Sequence, residues 1–249
     1  MNLNDYRADL ILAATRSVER WCVHPDEMVD GRRHPDTYWM LLFGGLGQRP
    51  VNAEDAHRFL VTFMLTNRVR WDTQMVADVI TELQYKPDFV SKHDVPAMSL
   101  RLTEANARHT QQTSAASKIA TFAKPNATTY IWDKLASKSA RDRDWRRGNY
   151  EGRARINAQF TNEGRHDYPA FYDACERAMS DERQCPDFTV ARDELIQRFR
   201  GGNGPMADPE LVSDSFIERR LLDKLMFAEG WVIDRQLPPP PGWIDGAGM

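Results

Sequence analysis

The chain has 249 residues, 41% hydrophobic and 28% charged, with 33 Lys and Arg against 36 Asp and Glu for a net charge of −3. This excludes a disordered chain and leaves room for one large domain or two small lobes, while any nucleic-acid-binding surface must be local because the total charge is slightly acidic. Three cysteines (Cys22, Cys175 and Cys185) cannot all pair and lack metal-ligand spacing, and no apolar run suits a signal peptide or a bilayer span, so a reducing, cytoplasmic setting with no membrane partner is expected.

Helical periodicity runs through the chain. Tyr6, Leu10, Ala14, Val18 and Trp21 mark a first amphipathic helix. Asn52 is placed to cap a second, in which Ala56, Phe59, Leu60, Phe63 and Met64 share one face. Asp72 or Thr73 caps a third, with Met75, Val76, Val79, Ile80 and Leu83 inward. Arg141 to Arg155 reads as charged and irregular, and Arg200 to Pro205 as a flexible connection. Asp208-Pro209 reads as a helix start before the stripe Ile217, Leu221, Leu225, and an extended piece is expected at Trp231–Ile233. Pro238 to Pro241 mark an extended tail. The fold class is therefore all-α. As a single two-lobed unit, it would have one lobe at 51–140 and a second built from 1–50 and 150–249.

The chemistry-bearing stretch runs from Thr113 to Ala136. Lys118 sits among small residues on a short helix that follows a Ser/Thr-rich turn. Pro125 and Asn126 end that helix. An apolar approach, Tyr130-Ile131-Trp132, then leads into Asp133, which has the chemistry to cap a helix starting at Lys134. From Lys134 to Arg155 there are eight basic residues and three acids, with Trp145 and Tyr150 interleaved. Such a stretch suits phosphate contacts and base stacking.

A lysine followed fifteen positions later by an aspartate that opens a new helix resembles the arrangement in helix-hairpin-helix base-excision DNA glycosylases, and the Ser-Lys, Phe, Pro, apolar-run-Asp pattern is similar to a prokaryotic branch associated with antiviral defence. The stretch Phe59 to Val79 resembles an early helix pair of that family, and Phe216 to Gly230 is similar to its closing helix. The resemblance implies a two-lobed helical fold and a DNA partner. It implies Lys118 and Asp133 as catalytic residues, the lysine attacking sugar C1′ and the aspartate stabilising the cationic sugar or activating the nucleophile. Asn67, Arg68, Arg70 and Trp71 occupy the turn that fills the gap left by a flipped base. Thr113, Ser114 and Ser117 stand where the family's hairpin holds a phosphate, and Arg141, Arg143, Arg146 and Arg147 would hold the DNA backbone.

Two departures stand out. The hairpin lacks the family's Gly-x-Gly turn, whose exposed N–H groups bind phosphate. The cluster cysteines of some members are missing, so no iron–sulfur centre or other cofactor is expected, and the histidines show no metal spacing. The expected function is excision of a modified or damaged base, with or without lyase activity. The alternative is a non-catalytic nucleic-acid-binding protein that keeps the helices.

Overall fold

The computed structural model describes residues 3–29, 31–44, 49–66, 70–108, 111–156 and 167–237. Among them it contains eleven α-helices and no strand. In chain order these are α1 (Arg7–Trp21), α2 (Asp36–Phe43), α3 (Ala53–Thr62), α4 (Thr73–Gln84), α5 (Ser91–Glu104) and α6 (Thr113–Ala123), then α7 (Lys134–Arg146), α8 (Tyr150–Arg155), α9 (Tyr168–Glu182), α10 (Pro186–Arg200) and α11 (Asp214–Arg235). The all-α expectation holds, and no described helix is long and apolar enough to cross a membrane.

Local chemistry explains the helix starts. Asn52 caps α3 in a capping box: its side chain accepts the Asp55 N–H at 2.9 Å while the Asp55 carboxylate accepts the Asn52 N–H at 3.2 Å. Asp72 caps α4 by accepting the Met75 N–H at 3.1 Å. Three expectations need correction. Arg141 to Arg155 lies largely in α7 and α8 rather than in irregular chain, because Asp142, Asp144 and Asp181 pair with its arginines. The last helix starts at Asp214 after Ser213, not at Pro209, and Trp231–Ile233 continues it. Apolar burial of Ala228 and Val232 on the same stripe keeps that segment helical.

Buried apolar residues from Leu3 to Val232 form one continuous core. An aromatic cluster anchors it: Trp39 and Phe43 of α2 pack on Phe59 of α3, and Phe63 meets Phe122 of α6 with ring centroids 5.3 Å apart. The long α11 crosses the molecule, packing on α1, α7 and α10. At its contact with α7 no side chain fits: a Cβ on Gly230 would stand 1.9 Å from the Leu135 carbonyl oxygen. Glycine thus allows the first turn of α7 to lie directly against α11.

Candidate functional site

Helix α6 is almost wholly interior. Of its eleven side chains only Ser114 and Lys118 escape full burial. They lie one turn apart on the same face, and the Lys118 ammonium donates to Ser114 Oγ at 2.8 Å. The small neighbours Ala115, Ala116 and Ala120 let the other faces of α6 pack tightly and leave the lysine stem flanked by protein.

Asp133 is the N-cap of α7, as expected from its sequence context. Its backbone is extended (φ −145°, ψ 171°), and Oδ1 accepts the N–H groups of Leu135 at 2.7 Å and Ala136 at 2.8 Å. The approach to it is held in an unusual way. Three successive backbone N–H groups donate to side chains from three different helices: Tyr130 to the Tyr168 hydroxyl of α9 at 3.3 Å, Ile131 to Asp223 of α11 at 3.3 Å, and Trp132 to Ser117 Oγ of α6 at 2.9 Å. The Tyr168 hydroxyl also donates back to the Tyr130 carbonyl at 3.0 Å. A buried extended segment with no partner strand must find its hydrogen bonds somewhere, and here side chains supply them.

The charges around Lys118 come from three helix systems. Burial pushes its ammonium below the ordinary lysine range; the Asp133 and Asp223 carboxylates oppose that shift, and the Arg220 guanidinium adds to it. Asp223 is itself raised to about 6, chiefly by burial, against the stabilising effect of Arg220. Arg220 in turn donates to Asp36 Oδ2 of α2 through Nε at 2.9 Å and Nη2 at 2.7 Å, with its ring-facing side 5.9 Å from the Phe122 centroid. A second lysine, Lys224, lies one turn beyond Arg220, with its ammonium 5.1 Å from the Trp21 ring centroid. Burial and Arg220 bring its pKa down to about 8. Acids and bases therefore alternate through the interior, which limits the cost of burying each one.

The other residues singled out by sequence divide. Asn67 and Arg68 lie outside the described residues. Arg70 is exposed. Trp71 is partly buried, and its indole N–H donates to the Leu65 carbonyl at 2.9 Å. Thr113 is buried with its hydroxyl 3.2 Å from that of Ser99, and Ser117 is buried with the partners given above; neither can reach a DNA phosphate without leaving the core. The arginine run also needs correction. Arg143 is an interior residue bound to Glu182 at 2.7 Å and to Glu229 at 2.6 Å. Arg146 is paired with Asp142, and Arg147 with Asp181. Of the four, Arg141 alone, half-buried, has no carboxylate at ion-pair distance among the described residues; burial, and then the charge of Arg153, push its guanidinium below the ordinary arginine range. Arg147 also stands about 20 Å along α7 from Asp133, at roughly 1.5 Å per residue. The run is thus not gathered around the lysine.

Sequence reasoning missed Asp36, Arg220, Asp223 and Tyr168. The spacing Arg220-x-x-Asp223 inside an apolar helical stripe was the available signal, since charges on a buried face need a purpose. No group of three potential metal ligands occurs among the described residues. Comparison of the chain with protein-family models, with curated proteins and with solved structures finds no match in any of the three.

Proposed function

We propose that the chain is a DNA glycosylase that excises a modified or damaged base, with Asp133 stabilising the sugar cation and Lys118 as the nucleophile or phosphate anchor. The observation that carries this reading is the electrostatic neighbourhood of Lys118: a desolvated amine on the single accessible face of a buried helix, within the field of a helix-capping carboxylate. Breaking an N-glycosidic bond builds positive charge on the sugar, and a fixed carboxylate in a low-dielectric pocket lowers that barrier. A lysine becomes nucleophilic when its surroundings disfavour the ammonium form, which burial does for Lys118. The target base would have to leave the duplex to reach such a site, at a cost of a few kcal/mol.

A second reading is a nucleic-acid-binding protein without catalysis. It is favoured by the absence of hairpin glycines and by the burial of Thr113 and Ser117, which leave the family's phosphate grip unsupported. Base release from duplexes carrying alkylated, oxidised or deaminated bases separates the two. The glycosylase reading requires release by the parent protein and its loss in Asp133→Asn with DNA binding retained. Borohydride reduction during turnover should trap a covalent DNA adduct in the parent and none in Lys118→Gln if the lysine forms a Schiff base. Binding without release on every substrate would favour the second reading.

A further inference from the structure

Away from Lys118, a surface cavity of about 500 Å³ opens between the C-terminal half of α9, the turn after it and the first turns of α11. Thr128, Glu176, Ser180 and Gln184 form an exposed polar rim, and Tyr130, Met179 and Arg219 form a buried floor. Arg219 is 6% exposed. Its guanidinium donates to the Pro125 carbonyl at 2.7 Å and to Ser215 Oγ at 3.0 Å, both neutral acceptors.

That makes it unlike the other buried arginines. Arg143 binds two glutamates, and Arg220 binds Asp36 and Asp223, whereas Arg219 has no carboxylate at ion-pair distance among the described residues. A guanidinium has five N–H donors, so Arg219 keeps donors that no group among the described residues accepts. A buried cation without a counter-ion is costly, and burial pushes this one below the ordinary arginine range even with Tyr130, Asp223, Glu176 and Tyr172 nearby. The rim carries its own counterweight. Glu176 accepts the Tyr130 hydroxyl at 2.5 Å, and Arg183 is already committed to Glu218.

We propose that this cavity binds a small organic oxyanion, a carboxylate or a phosphate monoester, whose charged oxygens accept from Arg219 and the Ser215 hydroxyl while a hydroxyl of the same molecule donates to Glu176. Charge-assisted hydrogen bonds to arginine are among the strongest available to a protein, and they offset the desolvation of both partners. A bare inorganic anion fits less well, because it has nothing to offer the carboxylate on the rim.

Thermal unfolding of the full chain tests this, with lactate and glycerol 3-phosphate as probes against chloride and inorganic phosphate at equal ionic strength. The expected result is a saturable rise in Tm with one of the two hydroxylated oxyanions, by roughly 3–5 °C at tenfold excess over Kd. Inorganic phosphate should give a smaller rise, and Arg219→Gln should give none. Because Arg219→Gln removes a buried side chain, Ser180→Trp provides a second arm: it fills the mouth from the exposed rim, leaves the Arg219 contacts intact and should also abolish the rise. Shifts no larger than those in chloride, or a shift that survives in either folded variant, would overturn the proposal.

Discussion

Asp133 has two tasks under the proposed function, and they can be separated because asparagine caps helices as well as aspartate does. Asp133→Asn keeps an oxygen to accept the Leu135 and Ala136 N–H groups, so its Tm should stay close to that of the parent while base release is lost. Asp133→Ala removes the cap as well and should cost about 0.5–2 kcal/mol of stability, read from denaturant unfolding. Equal base release by the parent and Asp133→Asn would remove the aspartate from the chemistry. Asp223 makes a pH prediction. Its folded pKa, near 6, lies above the ordinary aspartate value of 3.8, so the folded state holds its proton longer than the unfolded chain does. Stability from this residue is therefore greatest below pH 4 and falls as pH rises towards 6, by about 3 kcal/mol at most, then levels off. Unfolding measured between pH 4 and 7 should lose that slope in Asp223→Asn.

At the scale of helices, the contact between α7 and α11 is set by backbone against backbone at Gly230. Alanine there would gain about 1 kcal/mol in helix propensity. It would also drive a methyl into the Leu135 carbonyl, and neither group can move without shifting a helix. Gly230→Ala should therefore be destabilising despite its better propensity, and it should depress any activity that depends on Asp133, two residues before Leu135. A variant as stable and as active as the parent would show that the helices separate at little cost.

This contact also illustrates what the sequence could and could not reveal. The apolar stripes at Phe59–Phe63, Val76–Leu83 and Ile217–Leu225, and the caps Asn52, Asp72 and Asp133, were legible because periodicity and capping are local. The roles of Arg143, Thr113 and Ser117 were not. Each is decided by a partner far along the chain or on a neighbouring helix, and an arginine in a basic run looks the same whether it faces solvent or Glu229. The last helix was misjudged at its start for a related reason: a proline after aspartate signals a turn as readily as a helix, and the turn at Pro209 precedes it.

For the molecule as a whole, the ion-pair node at Arg143 ties together elements distant in sequence. Arg7 of α1 binds Glu182 of α9 and Glu229 of α11, and Arg143 of α7 binds the same two glutamates. Ser139 Oγ donates to Glu229 as well, at 2.5 Å. Burial pushes the Glu229 carboxyl upward, but Arg143 and Arg7 outweigh it and hold it below the usual range. Removing one member of such a node strands the others. Arg143→Gln should therefore lower stability by about 3–5 kcal/mol at neutral pH. The loss should shrink in acid, as Glu229, whose carboxyl the two arginines hold below the usual range, takes up its proton. The same substitution should leave the salt dependence of any DNA binding unchanged, because a residue enclosed by glutamates neutralises no phosphate. A flatter salt slope in Arg143→Gln would return this arginine to the binding surface.

The short stretch before Asp133 behaves as a strand whose neighbours are side chains. Its amide protons at Tyr130, Ile131 and Trp132 are each latched by a separate helix, so no partial opening frees all three at once. In deuterated buffer they should exchange as slowly as the best-protected amides of the helices, through rupture of the entire core. The carboxylate at the end of that stretch is consequently held through three helices at once, and a substitution on α6, α9 or α11 that loosens one latch should be felt at Asp133 without touching it.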